Sequence, residues 1–355
     1  MFYLKKFETQ SEYTDFKNNH GLTRPNVSWI TEDAKPAYNV AYNAKNVVGS
    51  VLMWDVTMQR KFFILAEDLK LSAYPKDYFI PIGVVVIPSS HDVYGTGECG
   101  VMSLKGMNYY NPDNGGNDTN IYWGGYGTDI PELPNLTQVP LISTALTSNE
   151  IIGVTSNAYL PSTKFTSNKP VAGNGLDTLA GYYSKTCIPS PYLENGDRNP
   201  SYYTTDTTKY PGLSANCFSD FNGKSNTEII LNYATGQTDW RTASTITNSD
   251  SVGYYPAACC AWRYHTPGTN QGDWYLPAAG ELGYMFARFN EIQTTLNKLY
   301  SLYGNSSVVS LRSSNYYWSS SEYSSYSARR VDTYDGNADY GSKSLYFYVR
   351  AWFRS

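Results

Sequence analysis

Charged side chains are scarce in this sequence, and their scarcity excludes several classes of partner. Asp, Glu, Lys and Arg make up 16% of the 355 residues, against about 25% in an average soluble protein. The formal net charge is −4 at pH 7. No cluster of Lys and Arg forms a basic stripe for nucleic acid or a basic amphipathic helix for a membrane surface. We therefore expect neither of these as a partner.

Long hydrophobic runs are also missing. No segment approaches the roughly 18 consecutive apolar residues of a membrane-spanning helix. The first residues, MFYLKKFETQSEY, lack the apolar stretch of a signal peptide. The sequence thus predicts a soluble protein made in a cytoplasm, without membrane insertion and without a secretion or lipoprotein signal.

Cysteine and histidine are too few and too scattered to indicate a metal site or a disulfide framework. The chain has five Cys, an odd number, and three His. Only Cys259 and Cys260 are close together, whereas zinc ligands normally come in pairs two to four residues apart. Zinc held by thiols with His91 or His265 is therefore not favoured, and neither is a set of disulfides. We expect buried, unreactive thiols and no cofactor.

Tyrosine is abundant instead, with 34 residues. In residues 312–355 it alternates with Ser, Asn and Asp, and aliphatic residues are almost absent between Trp318 and Val349. A core segment would be richer in Val, Ile and Leu, and a disordered tail would lack the aromatics. Tyr offers contact area with few rotatable bonds, and Ser, Gly, Asn and Asp offer adaptable hydrogen bonds, as in antibody loops. This composition predicts a binding surface. The alternative is an ordinary tyrosine-rich β-hairpin without a binding role, because Tyr favours strands in any case.

The order of predicted elements indicates an α+β fold. Residues 1–45 form a small unit that cannot bury a core alone. The stretch VVGSVLMWDV and the run from Ile80 to Pro88 predict strands, the second fully buried, with a short helix at AEDLKL between them. Residues 90–225 are rich in turn signals and predict loop insertions packed by their own Tyr and Pro.

Two helices and a set of C-terminal strands complete the predicted fold. An S-x-x-E capping box at residues 225–228 predicts the first helix. Apolar residues at three- and four-residue spacing predict a single second helix of about 25 residues, from Pro277 to Gly304. Strands are predicted at VVSLR, YYWSSS, ARRVDTY and LYFYVRAWF, with a tight turn at Asp335 and Gly336.

Several stretches resemble one family. DWYLPAAGEL (273–282), YYWSSSEYSSYSA (316–328) and KSLYFYVRAW (343–352) resemble the variable proteins of diversity-generating retroelements, particularly those of gut Bacteroidales and their phages. PIGVVVIPSSHDVYGTGECGVMSL, PNLTQVP and YPAACCAWRYH are similar to the same group, so the resemblance covers residues 47–355. It implies a C-type lectin fold related to the formylglycine-generating enzyme, with large loop insertions. It also implies that an error-prone reverse transcriptase rewrites codons of the last gene segment.

The resemblance implies constant framework positions and variable ligand-facing ones within residues 312–350. Trp318, Val349 and Ala351 would face the core, Gly336 would sit at the turn, and the residues between them would face solvent. Composition and resemblance together assign to the ligand Tyr326, Ser327, Arg330, Asp332, Tyr334, Asp335, Asn337, Asp339, Tyr340, Ser342, Ser344 and Leu345, with Asn315 and Phe347 as further candidates.

A calcium site is one alternative for this segment. Asp332, Asp335, Asn337 and Asp339 offer the oxygen ligands that calcium prefers. However, the EF-hand spacing is absent, and so are the EPN, QPD and WND motifs of sugar-binding C-type lectins. Solvated carboxylates are the preferred interpretation, and no metal is expected.

An enzyme on the same fold is the alternative from another class. The related formylglycine-generating enzyme uses a pair of reactive thiols, but no cysteine follows Cys260, and only Arg263 and His265 are near the Cys259–Cys260 pair. A buried WRYH strand is the simpler interpretation of that stretch.

Glycan hydrolysis is a second enzymatic alternative, since it needs two carboxylates on opposite sides of a sugar. Glu98, Asp129, Glu132 and Glu281 are available, but the sequence does not pair them. Glu281 is more consistent with a role at the N-terminus of the predicted helix, through the helix dipole.

We therefore expect a receptor-binding protein and not an enzyme. Residues 46–355 would form the lectin-fold domain, which would bind a bacterial surface receptor, protein or glycan, through aromatic anchors. Residues 1–45 would attach the chain to other virion or tail proteins or form a homotrimer. The expected location is a phage tail, with the bacterial cell surface as the alternative.

Overall fold

The computed structural model describes residues 46–91, 94–133, 135, 220–304, 306–313, 315–333 and 338–355, together with Thr14 and a short strand pair at residues 165–166 and 169–170. The predicted N-terminal unit and most of the predicted loop insertions lie outside these described residues. Helices and antiparallel sheets are both present, so the fold is α+β, as predicted.

The elements are as follows in chain order. The strands are β1 (Val51–Asp55), β2 (Arg60–Ile64), β3 (Phe79–Ile87), β4 (Gly100–Ser103), β5 (Ile121–Tyr122), β6 (Phe165–Thr166), β7 (Lys169–Pro170), β8 (Trp274–Tyr275), β9 (Tyr316–Ser324), β10 (Ser327–Asp332), β11 (Ala338–Ser342), β12 (Tyr346–Phe347) and β13 (Trp352–Arg354). The helices are α1 (Gly223–Asn232), α2 (Pro256–Arg263), α3 (Ala279–Ala287) and α4 (Phe289–Tyr303). Short 3-10 turns lie at Ala66–Asp68 and Ser89–His91.

The main sheet has six strands in the order β2-β1-β3-β4-β13-β8. The last strand of the chain, β13, inserts between β4 and β8, so that Trp352 pairs with Met102 on one side and Tyr275 on the other. Strand β3, rich in Val and Ile, lies at the centre and is almost completely buried, as predicted.

Two hydrophobic clusters lie on opposite faces of this sheet. Val84 and Val86 of β3 belong to one cluster and Val85 to the other, as the two-residue period of a strand requires. Helices α3 and α4 cover the first face, for example with Leu282 and Leu296. Helices α1 and α2 cover the second. Both faces of the sheet are therefore closed by helices.

A smaller three-stranded sheet, in the order β11-β10-β9, carries most of the described C-terminal segment. All of its pairings are antiparallel, and irregularities interrupt the β9–β10 register on either side of Ala328. Beyond it, β12 pairs with β5 through Tyr346 and Tyr122. The predicted turn at residues 335–336 lies outside the described residues, between two strands that do pair.

The prediction of a single helix from 277 to 304 is wrong in one respect, because the segment forms two helices, α3 and α4. Arg288 has φ −116° and ψ 21°, outside the helical region, and separates α3 from α4. The apolar period continues through the break because Leu282 and Ile292 reach the same cluster from either side of it. Gly304, with φ 86°, ends α4 as predicted.

Three other predictions from local pattern need correction. The WRYH stretch was predicted as a strand, but Trp262 and Arg263 end α2, which the helix-forming alanines and a first-turn proline at Pro256 favour, and Tyr264 and His265 follow it. VVSLR belongs to no strand, and LYFYVRAWF is interrupted between β12 and β13. Helix α1 begins at Gly223, before the predicted capping box, and its N-cap has no side-chain hydrogen bond.

Candidate ligand-binding surface

The structure leaves the predicted ligand-facing residues accessible wherever it describes their side chains. Tyr326, Tyr340 and Leu345 have exposed fractions of 56%, 49% and 46%. The partly exposed members are Ser327, Arg330, Asp332, Ser342 and Ser344. Asp339 lies in β11 opposite Arg330 by register. Tyr334, Asp335 and Asn337 lie outside the described residues.

Part of the set gathers at one end of the smaller sheet, where β9 turns into β10 and β11 ends. The N–H of Lys343 donates to the carbonyl of Tyr326 at 2.9 Å and joins the two turns. The hydroxyls of Ser342 and Ser344 are 2.7 Å apart, and the N–H of Leu345 donates to the carbonyl of Ser342 at 2.8 Å.

The remaining members do not form one continuous patch with this group. Arg329 pairs with Tyr340, whereas Arg330 pairs with Asp339, so Arg330 and Tyr340 occupy opposite faces of the sheet. The guanidinium of Arg330 lies 3.7 Å from the ring centre of Tyr316 and 4.6 Å from that of Phe347. The predicted set thus divides between two faces, which a list of residues could not reveal.

Tyr340 has a partner that the sequence did not identify. Its ring stacks on Tyr323, with centroids 4.3 Å apart and planes within 11°. The guanidinium of buried Arg329 lies 4.8 Å from the Tyr323 ring centre. Arg329 holds the Tyr323 ring, and the Tyr323 ring in turn holds that of Tyr340. Tyr340 therefore presents a pre-oriented aromatic surface and loses little side-chain freedom on binding.

The loop after β5 adds aromatic residues that were missed altogether. Tyr126 packs edge-on against Tyr326 at 5.2 Å, and Tyr122 packs edge-on against Tyr346 at 5.4 Å. We call the set Tyr122, Tyr126, Tyr326, Leu345 and Tyr346 the aromatic edge. The sequence did contain a pointer to it, since IYWGGYG at 121–127 interleaves aromatics with glycines.

Two glycines allow this loop to pack closely against Tyr254 and Tyr255. Gly124 has φ 96°, and a Cβ there would lie 1.9 Å from the carbonyl oxygen of Tyr254. Gly125 has φ 61°, and a Cβ there would meet the Tyr255 ring at 2.4 Å. Both positions therefore need glycine for conformation and for space. The N–H of Gly127 then donates to the carbonyl of Ser325 at 3.0 Å, which joins the loop to the β9–β10 turn.

The framework beneath this surface includes the predicted residues. Trp318, Val349 and Ala351 are buried, as predicted, and Gly336 lies outside the described residues. The indole N–H of Trp318 donates to the carbonyl of Ile121 at 2.9 Å. The indole N–H of Trp123 donates to the carbonyl of Ser319 at 2.8 Å, so the loop and β9 hold each other in place.

The expectation that the intervening residues face solvent is wrong for several of them. Arg350 lies between Val349 and Ala351 and is nonetheless fully buried. Its Nε is 3.3 Å from Oδ1 of buried Asp118, and its Nη2 donates to the carbonyls of Val309 and Ser310 at 2.9 and 3.0 Å. A buried charge requires such partners. Also buried between the predicted contact positions are Ala328, Arg329, Gly341 and Lys343.

The residues of the thiol alternative lie in the interior. Cys259 and Cys260 are buried and free, and burial raises the pKa of both thiols above the ordinary value. Arg263 is held by Asp113, with Nη2 2.7 Å from Oδ1. Nδ1 of His265 lies 3.1 Å from the carbonyl oxygen of Arg263. These thiols therefore lack both access and thiolate character.

The carboxylates of the glycan-hydrolysis alternative have separate surroundings. Glu281 is fully buried in the first turn of α3, where it accepts from the N–H of Ala278 at 2.7 Å and from the hydroxyl of Tyr275 at 2.8 Å. This confirms its predicted place at the helix N-terminus. Burial raises the pKa of Glu281 to about 7. Asp129 and Glu132 are exposed, whereas Glu281 is not accessible to a polysaccharide.

In the described part of the chain, no group of three or more His, Cys, Asp or Glu side chains could hold a metal ion. No helix in that part is long and apolar enough to cross a membrane.

Comparisons with known proteins assign no family to the chain. No family model matches the sequence, and no curated protein matches it significantly. Among solved structures, the crystal structure of a fimbrial protein from Bacteroides ovatus is similar, with 15% sequence identity and a TM-score of 0.38. The match covers 86% of this chain and 48% of that one, so the chain spans about half its length. This likeness is too low to assign a fold or a function.

Proposed function

We propose that the chain is a hypervariable receptor-binding protein of the kind diversified by retroelements, with a C-type lectin fold, and that it acts as an adhesin on a phage tail or virion. It would bind a bacterial surface receptor through the segment at residues 312–350. The observation that carries this proposal is the division of labour within that segment. Side chains assigned to the ligand are accessible, while Trp318, Lys343 and Arg350 are buried among them.

This division is what a replaceable surface requires. A rigid scaffold with tolerant surface positions lets one fold host many specificities. Substitution of Tyr326 or Tyr340 changes a side chain that is half exposed, so the core is little affected. Substitution of Lys343 or Arg350 would leave a buried partner uncompensated. We infer that variation is confined to the accessible positions.

We propose a binding protein and not an enzyme. The thiols of Cys259 and Cys260, with raised pKa values and no exposure, do not favour nucleophilic chemistry. The accessible side chains are instead Tyr, Ser, Asp and Arg, whose strengths are contact area and hydrogen bonding. Several copies on one particle, as a homotrimer held by residues 1–45 would supply, would raise the avidity of a weak single site.

The gene neighbourhood tests the diversification part of the proposal. We expect a near-identical template repeat downstream of the coding region for residues 312–350, differing mainly at adenines, beside a reverse transcriptase gene. The substituted codons should fall on accessible positions such as Tyr326 and Tyr340 and spare Trp318 and Lys343. A repeat whose adenine differences fall on the buried positions would contradict the assignment.

A display library tests the binding part. All accessible described positions of the set would be randomised together in the full chain, with the buried positions kept, and variants would be selected on whole bacterial cells. The expected result is folded variants that bind different strains. A matched library that randomises the buried positions Ala328, Arg329, Gly341, Lys343 and Arg350 should give few folded proteins. Equal recovery of folded proteins from both libraries would overturn the framework assignment, and folded variants that never bind cells would overturn the function.

A further inference from the structure

We propose that the receptor is a protein with exposed Lys or Arg side chains, bound by the aromatic edge together with the carboxylates of Asp129 and Asp250. This inference rests on the proposed function and deepens it, because it names the partner class and extends the binding surface onto segments outside residues 312–350. The aromatic edge and these two carboxylates are together called the extended surface.

The aromatic part of the extended surface is large and pre-oriented. Tyr126, Tyr326, Leu345 and Tyr346 are all exposed, and the segment at 122–127 runs beside the turn at 343–346, where Tyr122 pairs with Tyr346. The N–H of Gly124 donates to the carbonyl of Lys343 at 3.4 Å within this seam. Clustered exposed aromatics mark interaction sites, and Tyr is among the residues that dominate binding energy at protein interfaces.

Both acidic residues adjoin the loop that carries Tyr126. The carbonyl of Asp250 accepts from the N–H of Tyr126 at 2.8 Å, which places this residue directly against the loop. Asp129 is exposed and follows Tyr126 by three positions. The carbonyl of the preceding residue, Thr128, accepts from the ammonium of Lys343 at 2.7 Å, which places Asp129 next to the turn that carries Leu345.

Among the residues that the structure describes, the two loops beside the aromatic edge carry no positive charge. The sequence has no Lys or Arg from residue 106 to residue 163, or from residue 242 to residue 262, the stretches that include both supporting loops. In the described segment at 312–350, Arg329, Lys343 and Arg350 are buried, the guanidinium of Arg330 lies over aromatic rings, and exposed Arg312 lies 3.6 Å from Asp118. The extended surface therefore offers π faces and negative charge to a partner.

Such a surface is complementary to cationic side chains. Lys and Arg are attracted to the faces of Tyr rings and to carboxylates, which adds affinity and increases the association rate. An acidic polysaccharide would be repelled by Asp129 and Asp250, and a neutral one could donate hydroxyl hydrogen bonds to them but would gain no charge attraction. Since Lys and Arg are side chains of proteins, the observations favour a protein over a glycan.

The test is a selection from a random dodecapeptide library displayed on beads, with the full-length chain as the selecting protein. Wild type is compared with D129N/D250N, with the matched control E67Q/D68N, which removes two charges at an exposed site remote in sequence, and with Y126A and Y326A. We expect retained peptides to be enriched in Lys and Arg, and their affinity to fall with added salt. We expect D129N/D250N to weaken binding by about threefold to tenfold, and E67Q/D68N to leave it unchanged.

Each other outcome has a defined meaning. If Y126A and Y326A abolish binding but the retained peptides show no enrichment in Lys or Arg, the partner class is wrong and the proposed function stands. Stronger binding to dextran or to an acidic polysaccharide than to any peptide has the same meaning. If self-association of the chain depends on Tyr126 and Tyr326, the surface is an interface between copies, which overturns the inference. If peptides bind equally well to Y126A and Y326A, the proposed binding surface fails as well. Circular dichroism of every variant excludes unfolding as the cause.

Discussion

Lys343 and Glu322 form an ion pair in which both side chains are completely shielded from solvent. Lys343 follows β11 in the variable segment, and Glu322 lies in β9. The ammonium also donates to the carbonyl of Thr128 at 2.7 Å and lies 4.7 Å from the ring centre of Trp123. Burial raises the pKa of Glu322 and lowers the pKa of Lys343, and the contact between the two side chains partly offsets both shifts. The pair joins the variable segment to the loop that carries Tyr126.

Removal of one member of this pair should destabilise the protein strongly. In K343M the Glu322 carboxylate stays buried without its cation, and we expect a loss of about 3–5 kcal/mol in the free energy of unfolding. Urea denaturation followed by fluorescence measures this. Exposed Lys224 provides the matched control, since K224M should change stability by less than about 0.5 kcal/mol. Equal effects of the two substitutions would show that the buried pair is not a structural element.

Two of the three glycines in the loop at 122–127 should respond differently to substitution by alanine. Gly124 and Gly127 both have φ near 90°, so both substitutions strain the backbone, at about 1–2 kcal/mol each. Only at Gly124 does the new Cβ meet backbone, at 1.9 Å from the carbonyl oxygen of Tyr254. At Gly127 the nearest atom is the Tyr326 ring, 3.8 Å away.

We therefore expect G124A to lower the melting temperature well below that of G127A, and to weaken any binding that depends on Tyr126. Thermal unfolding of both variants beside wild type makes the comparison. Similar melting temperatures would mean that the loop can move away from residue 254, and that the aromatic edge is not fixed by it.

Glu281 should give the protein a pH-dependent stability. Its pKa in the folded state is about 7, against 4.5 for the ordinary group, chiefly because burial disfavours the charged form. The contribution of a group with a raised folded pKa is fully present below its unfolded pKa and is lost as the pH rises through the folded value. As the pH rises from about 4.5 to slightly above 7, we expect the free energy of unfolding to fall by up to about 3 kcal/mol.

The variant E281Q, which has no titratable group at this position, should flatten that decline when unfolding by urea is measured from pH 4 to pH 8. Exposed Glu67 is the control, and E67Q should keep the slope of wild type. Parallel pH profiles for E281Q and wild type would show that Glu281 is not the titrating group.

The described cysteines should resist alkylation while the protein is folded. Burial raises the pKa of Cys99 to about 12, and it also raises the pKa values of Cys259 and Cys260. Because the thiolate is the reacting form, iodoacetamide at pH 8 should modify these three positions only after denaturation, as peptide mass spectrometry would record. Rapid modification of Cys259 or Cys260 in the native protein would instead support the thiol-enzyme alternative.

The burial of Trp318, Val349 and Ala351 was expected from the family resemblance. The sequence by itself determined the α+β class and the central buried strand β3. These follow from hydrophobic content and local period, which are properties of neighbouring residues. The break at Arg288 and the helix at residues 256–263 did not follow, because the same apolar period fits one helix or two and a short apolar stretch fits helix or strand.

Only the tertiary structure decided how the candidate surface is composed. It placed Arg330 and Tyr340 on opposite faces, buried Lys343 and Arg350 beside their acidic partners, and brought Tyr126 against Tyr326. Glu322 is 21 positions from Lys343, and Asp118 is 232 positions from Arg350. No local pattern encodes such a pairing, since whether a charged side chain is buried depends on a partner that long-range folding supplies.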